Sequence, residues 1–332
     1  MRPNTFLPNR RDFVLGGASL AVMASSLHAA GSLEGKKLTF YEPYGPNSTT
    51  HFPLALIKDA LEAVTGASVS IETRPGKAGE LALQAAAAHT PDELAFGVTD
   101  LLSLQVVEAL DADGQTFQSG FQPVGLLSHG ISSALIVAKD SPHKTIEDLL
   151  SVTKDRPLKI GHIGRKSAFG INLSLMETSL KIKCEDVVLD TRRGILSALA
   201  DGTVDAAILV TLTLFPTSSR EAPPVRPVLT FGSERNPVLK VVPTLRDISV
   251  GIEERNTAIT SAIAAFAPRD MNSQSLMLVQ AVLAEVMQRA DLQQKAQEGH
   301  FPLHFGHVSE FEEAQRRNAR IIELVKTRIL GE

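Results

Sequence analysis

Two spacings of apolar residues alternate along the chain, and they predict strands and helices in turn. Three short apolar runs predict buried strands, at residues 38–41, 69–71 and 94–98. A helix is predicted between the first two runs, because apolar residues recur there at helical spacing: Leu54, Ile57, Leu61 and Val64. An alanine-rich helix is predicted at 81–88. This alternation is typical of an α/β sheet with crossover helices.

A second series of the same kind begins at Thr145, which is expected to cap a helix with Asp148 three residues later. The predicted elements that follow are strand 158–162, helix 168–180, strand 187–189, helix 195–200 and strand 204–210. Because the pattern repeats, we expect two α/β units rather than one continuous sheet.

Two longer apolar segments, 131–138 and 258–267, each end in a turn before a helix, and we interpret them as paired hinge strands. Long helices predicted at 273–298 and 309–329 are expected to pack back on the first lobe. The domains expected from this arrangement are lobe 1, formed by residues 31–130 plus 266–332, and lobe 2, formed by residues 131–265 including the hinge strands.

The amino terminus has the features of an export signal of the twin-arginine type. Arg10 and Arg11 precede an apolar run at 16–27, and the small residues Ala29 and Ala30 follow. The alternative is a membrane anchor, but the run of 12 residues is shorter than the ~20 that cross a bilayer. We therefore expect residues 1–30 to be removed and the product to work in the periplasm.

The charge and cysteine content exclude some classes of protein. Without residues 1–30 the formal charge is near −6, which argues against nucleic acid as a partner. Cys184 is the only cysteine, so no intramolecular disulfide can form. We expect a monomer that binds anions, if at all, through a local site.

Polar loops follow several predicted strands, where α/β proteins bind ligands. Residues 42–51 (EPYGPNSTTH) combine hydroxyl groups with the start of a helix, a favourable place for a carboxylate or phosphate. Ser48 or Thr49 serving only as a helix cap is the alternative. Adjacent cations occur in two later loops, at Arg165-Lys166-Ser167 and Thr191-Arg192-Arg193. These cations either bind an anion or lie solvated on the surface.

Signatures of catalysis are missing from the sequence. There is no G-x-S-x-G, H-E-x-x-H, P-loop or G-x-G-x-x-G motif. His300, His304 and His307 are close in sequence, but Pro302 interrupts any helix that would align them. We predict no catalytic residue, no metal and no cofactor.

An ordered set of short tracts resembles the periplasmic receptors of tripartite tricarboxylate transporters, the Bug family. Residues 72–79 (ETRPGKAG) resemble the family's ENRPGAGG. Similar matches follow at 91–92 (PD), 121–124 (FQPV), 144–149 (KTIEDL) and 202–205 (GTVD). The resemblance runs from about residue 37 to 330. It implies an α/β, two-lobed periplasmic-binding-protein-like (type II) fold with a hinge of two crossing strands.

The first loop departs from the family's P-F-x-P-G-G-G-T-D. Tyr44 stands for phenylalanine, His51 stands for aspartate, and Asn47, Ser48 and Thr49 replace three glycines. The additional cations in lobe 2 suggest a di- or tricarboxylate, while Tyr44 leaves an aromatic acid open. The ligand-binding residues expected from the loops and the resemblance are Tyr44, Asn47, Ser48, Thr49, Thr50, Thr99, Asp100, Arg165, Lys166, Ser167, Arg192 and Arg193.

Two functions are compatible with this resemblance. In the first, the protein captures a small organic acid between its lobes and delivers it to the membrane permease subunits of a tripartite transporter. In the second, it senses a similar ligand and signals to a membrane kinase. The sequence does not separate these two roles.

Overall fold

The computed structural model describes residues 33–330 apart from 47, 111–116, 190, 217–220, 233–234, 237 and 249–259. The predicted export segment, residues 1–30, lies outside the described residues, and so does the predicted site residue Asn47. All structural statements below concern the described part of the chain.

Strands and helices alternate through most of this part. The strands are β1 Lys37–Glu42, β2 Ser68–Thr73, β3 Leu94–Asp100, β4 Phe121–Ile131, β5 Ser133–Ala138, β6 Leu158–His162, β7 Cys184–Val188, β8 Ala206–Val210, β9 Val225–Thr230, β10 Ser261–Pro268 and β11 Leu303–Gly306. The helices are α1 His51–Thr65, α2 Glu80–Ala87, α3 Leu101–Ala109, α4 Ile146–Ser151, α5 Ala168–Leu180, α6 Arg192–Ala200, α7 Leu245–Ile248, α8 Ser273–Met287, α9 Ala290–Glu298 and α10 Val308–Leu330.

Helix α1 shows how the sequence pattern produces an element. Its apolar stripe is buried, with Leu54, Ile57 and Leu61 at most 1% exposed. On the outer face Lys58 and Glu62 form an i, i+4 ion pair of 2.7 Å. The helix ends at Gly66, whose φ of 66° gives the left-handed cap that glycine adopts without strain.

The strands form two separate sheets, as a two-lobed fold requires. The first has the order β11-β4-β10-β3-β1-β2, and the second has the order β7-β6-β8-β5-β9. Strands β1, β2 and β3 are parallel, and so are β6, β7 and β8. The α/β class and the two sheets predicted from the sequence are therefore confirmed.

A single residue, Ser132, connects β4 in the first sheet to β5 in the second. Strand β4 ends at the edge where β1 and β3 end, because both β3 and β4 run antiparallel to β10. Strand β5 begins at the edge where β8 ends, since Ser133 lies opposite Val210. The carboxyl edges of the two parallel sets therefore face each other across the connection.

Three expected boundaries differ from the structure. Strand β10 pairs with β4 from Ser261 onward, so residues 261–265 belong to the first sheet rather than to lobe 2. The helix predicted at 273–298 is two helices, because Arg289 adopts an extended conformation (φ −60°, ψ 131°) between them. The strand predicted at 187–189 is instead β7, which ends at Val188.

Helix α10 packs on the first lobe, as expected, and it also contacts the second. Phe311 and Ala314 lie in an apolar cluster with side chains of β4 and β10. Further along the helix, Ile321 and Val325 lie in the core of the second sheet. The helix therefore provides a second link between the two lobes, in addition to Ser132.

Candidate functional site

Loops from both sheets meet at the two facing edges. On the first sheet these are residues 43–50 after β1, 74–79 after β2 and the end of β3 at Thr99 and Asp100. On the second sheet they are residues 163–167 after β6, the start of α6, and the turn Thr211–Leu214 after β8. The carboxyl ends of strands are where ligands bind in open α/β sheets. We call the space between these edges the cleft.

Tyr44 is the most exposed aromatic side chain on the first edge. Half of its surface is accessible, at 50%. Its pKa is nevertheless raised, first by burial and then by the charges of Asp100 and Glu42. Tyr44 is thus open to solvent on one face and has protein around it on the others. This is the environment expected of a side chain in the wall of the cleft.

Hydroxyl groups follow Tyr44 in the same loop. The Ser48 hydroxyl lies 3.0 Å from that of Thr50 and accepts a hydrogen bond from the His51 amide at 3.1 Å. Thr50 has no accessible surface, whereas Ser48 and Thr49 are half-buried. Ser48 and Thr49 are therefore the members of this group that a ligand can reach.

The loop after β2 has an unusual backbone. Four consecutive residues, Gly76 to Gly79, have positive φ, and two of them, Lys77 (47°) and Ala78 (52°), are not glycine. The Thr99 hydroxyl donates to the Ala78 carbonyl at 2.8 Å. A Cβ on Gly79 would lie 2.1 Å from the Thr99 hydroxyl oxygen, so glycine is required there. Thr99 is fully buried, and in this structure its hydroxyl supports the loop.

Asp100 caps helix α3. One carboxylate oxygen accepts a hydrogen bond from the Ser103 amide at 2.8 Å, and the side chain is only 7% exposed. Burial raises its pKa, while hydrogen bonds from Ser103 and Ser261 oppose the shift. Asp100 thus lies at the predicted edge, but one of its roles is to complete the helix.

Arg165 is held by carboxylates of its own lobe. Its guanidinium forms a bidentate pair with Asp186 and also donates to Glu177 at 2.7 Å and to Ser174 at 3.0 Å. Glu177 is 4% exposed and Asp186 is 25% exposed. These partners occupy most of the donors of Arg165, a predicted ligand-binding residue, so in this structure its charge is engaged within its own lobe.

The two residues after Arg165 differ in whether a ligand can reach them. Lys166 is exposed, whereas the Ser167 hydroxyl donates to the Gly164 carbonyl at 2.6 Å and accepts from the Gly170 amide at 3.3 Å. Ser167 therefore caps α5. Lys166 is the member of the Arg165-Lys166-Ser167 group whose charge is directed to solvent.

The second basic pair begins helix α6. Thr191 is the cap, accepting the Gly194 amide at 3.1 Å. Arg192 is half-buried and donates to the Thr213 carbonyl at 3.1 Å, which joins this helix to the turn after β8. Arg193 is exposed. Lys166, Arg192 and Arg193 place positive charge on the second edge.

Two residues that the sequence analysis did not select complete the first edge. Glu42, the last residue of β1, has no accessible side-chain surface and lies beneath the loop 43–50. Lys77 has a side chain that is 63% exposed and pairs with the buried Glu80 at 3.1 Å. A glutamate at the end of an apolar strand was the available signal for Glu42.

The described residues have neither the side-chain clusters of a metal site nor a membrane-spanning helix. No group of three or more His, Cys, Asp or Glu side chains converges there as a metal site. His304 pairs instead with Glu310 at 2.8 Å. Within the same part of the chain, no helix combines the length and apolar character needed to cross a membrane.

Comparison with known proteins identifies relatives over most of the chain. Residues 55–323 match the family described as tripartite tricarboxylate transporter family receptor. A protein of Cupriavidus necator, called UPF0065 protein in gbd 5′region, is 24% identical over 233 residues, which cover 68% of this chain and 67% of that protein.

Solved structures share the fold. A structure of an R. palustris protein with adipate has a TM-score of 0.72 at 21% identity, covering 88% of this chain and 97% of that one. MatC from Rhodopseudomonas palustris, with bound malate, has a TM-score of 0.71 at 21% identity, with coverages of 87% and 99%. These similarities confirm the two-lobed binding-protein fold.

Proposed function

Because the chain belongs to the tripartite tricarboxylate transporter receptor family, we propose that it captures a small organic acid in the cleft between its two sheets. The observation that carries this proposal is the pair of facing edges. One offers the exposed cations Lys166 and Arg193 beside the half-buried Arg192, and the other offers Tyr44 and accessible hydroxyl groups. The carboxylate of the ligand binds the cations.

The energetics favour a site that uses both edges. Micromolar affinity requires about 8 kcal/mol, and a charge-assisted hydrogen bond contributes roughly 1.5–3 kcal/mol before ordering costs. Three cations supply part of this free energy. The remainder comes from Ser48, Thr49 and the ring of Tyr44, which the ligand reaches only when it touches both lobes.

The number of ligand carboxylates that the second edge can hold depends on the cations at that edge. In the sequence, four cations at this edge predict a di- or tricarboxylate. Arg165 is neutralised by Asp186 and Glu177, so we propose that the exposed Lys166 and Arg193, beside the half-buried Arg192, hold one carboxylate or two neighbouring ones. Two structural relatives hold adipate and malate, which are small organic acids.

Delivery to the permease subunits of a tripartite transporter is the role that the family description supports. We propose that the protein works in the periplasm after export through the twin-arginine pathway, as Arg10 and Arg11 suggest. We propose that it acts as a monomeric receptor rather than an enzyme, because the family it belongs to is described as a receptor family.

Thermal unfolding against a panel of mono-, di- and tricarboxylates, amino acids and aromatic acids tests the proposal. A ligand at 100 times its dissociation constant adds about 2.7 kcal/mol. We expect Lys166→Met and Arg193→Met to weaken the shift. Lys183→Met is the matched control, because Lys183 is exposed and precedes β7 at the opposite edge of the same sheet. A panel with no stabilising acid would refute the proposal.

A further inference from the structure

Glu42 carries a carboxylate that is already bound by the loop it supports. Its side chain has no accessible surface. The Tyr44 amide donates to one of its oxygens at 2.9 Å, and the Gly45 amide donates to both, at 2.8 and 2.9 Å. The first backbone N–H groups of the loop 43–50 are therefore directed inward, toward an anion that belongs to the protein.

Side chains complete the coordination of this carboxylate. The Thr73 hydroxyl donates at 2.8 Å and the Thr50 hydroxyl at 3.1 Å, while His51 Nδ1 lies 3.4 Å away. Burial acts to raise the pKa of Glu42, but hydrogen bonds from Tyr44, Thr73, Gly45 and Thr50 outweigh it and lower the pKa. Glu42 is thus ionised near neutral pH.

A ligand carboxylate at this loop meets two obstacles. The Tyr44 and Gly45 amides are occupied, and two carboxylates that share one site do not both ionise without a large cost. The buried Asp100 also lies at this edge, but burial raises its pKa, so we assign the negative charge beneath the loop to Glu42. Lys77 does not offset this charge in full, because it pairs with Glu80.

The two edges therefore favour ligand groups of different charge. Lys166, Arg192 and Arg193 lie on the second edge, and the described residues of 163–167, 191–194 and 211–214 include no carboxylate. Asp190 is outside the described residues. A ligand that spans the cleft is oriented by this difference, with its anionic end on the second sheet.

We propose that Glu42 determines the charge specificity of the cleft: the end of the ligand that meets the loop 43–50 carries no carboxylate and presents a hydroxyl or ammonium donor. This inference rests on the proposed function and names the class of acid that the site takes. Glu42 acts as a positioning residue, since its carboxylate holds the loop and sets the local charge without touching the ligand.

Titration calorimetry on the full mature chain, with probes of equal length, tests the inference. The six-carbon set is adipate, 6-hydroxyhexanoate and 6-aminohexanoate, and the four-carbon set is succinate, 4-hydroxybutyrate and 4-aminobutyrate. In the set that fits the cleft we expect the hydroxy or amino acid to bind at least about tenfold more tightly than the diacid. The two arms tell whether the donor is neutral or cationic.

The variant Glu42→Gln removes the charge and keeps the size of the side chain. We expect the affinity for the diacid to rise about tenfold, while that for the hydroxy acid changes by less than about threefold. Glu62→Gln is the matched control, because Glu62 also accepts a backbone amide, that of Val69 at 2.8 Å, but lies on the outer face of α1. A merely structural role for Glu42 predicts no change in this selectivity.

The outcomes separate the two proposals. Diacids that bind the wild-type protein as tightly as their hydroxy and amino analogues overturn the inference. The inference is also overturned if a dicarboxylate binds and none of the four hydroxy and amino analogues does. If Glu42→Gln does not fold, the wild-type comparison alone decides. If no organic acid binds at all, the proposed function fails instead.

Discussion

Arg165 and Lys166 are adjacent in sequence but are expected to respond in opposite ways to substitution. Replacing Arg165 with methionine keeps much of the apolar stem and removes the ion pairs to Asp186 and Glu177. Loss of one partner of a buried pair costs about 3–5 kcal/mol. Arg165 is 22% exposed, so solvent screens part of the charge, and we expect a loss of about 2–3 kcal/mol.

Urea unfolding measures this loss, and its pH dependence identifies the cause. Burial acts to raise the pKa of Asp186, but hydrogen bonds and charge from His162 and Arg165 outweigh it, so the folded pKa is lowered from 3.8. The stabilisation is therefore present above about pH 4 and is lost as the pH falls through the folded pKa. The difference between wild-type protein and Arg165→Met should shrink in acid.

Lys166→Met provides the comparison. Because Lys166 is exposed, we expect the free energy of unfolding of the variant to differ from that of the wild-type protein by less than about 0.5 kcal/mol. We expect its affinity for the ligand to fall. Arg165→Met should retain ligand affinity in the folded fraction. An Arg165→Met protein of wild-type stability, or one that loses the ligand while Lys166→Met retains it, would refute the assignment.

Three further predictions concern other parts of the chain. Gly79→Ala should lose about 2 kcal/mol or more in urea unfolding, because its φ is 104° and a Cβ would strike the Thr99 hydroxyl; a loss below about 0.5 kcal/mol would contradict this. Hydrogen bonds from the amide and hydroxyl of Thr90 lower the pKa of Glu93 to about 2, and carboxyl NMR should show Thr90→Ala raising it toward 4.5. Burial, followed by the charge of Glu177, raises the pKa of the Cys184 thiol to about 12, so a thiol reagent should label it far more slowly in the folded protein than in urea; equal rates would contradict the burial.

The sequence predicts much of the fold because each element has a local pattern. The helical spacing of Leu54, Ile57 and Leu61 corresponds to α1, and the apolar run at 158–162 corresponds to β6. Elements defined by distant contacts were harder to predict. Strand β11 has four residues, and its pairing with β4 depends on a partner more than 170 residues away in sequence.

The site was less predictable than the fold for the same reason. Arg165 resembles a free cation in sequence because its partner Asp186 is on the neighbouring strand and becomes visible only through the register of β6 and β7. Glu42 lies at the end of an apolar strand, and its partners Thr50 and Thr73 come from two different segments. A charged residue in the sequence therefore does not reveal whether its charge is paired within the fold or can bind a ligand.

A crystal structure of the mature protein with the acid that stabilises it most tests the central claim. The account predicts that the ligand lies between the two edges, with a carboxylate on Lys166, Arg192 or Arg193 and its other end against Tyr44 and Ser48. A ligand bound elsewhere, for example in the surface hollow lined by Lys36, Lys37 and His89, would contradict it.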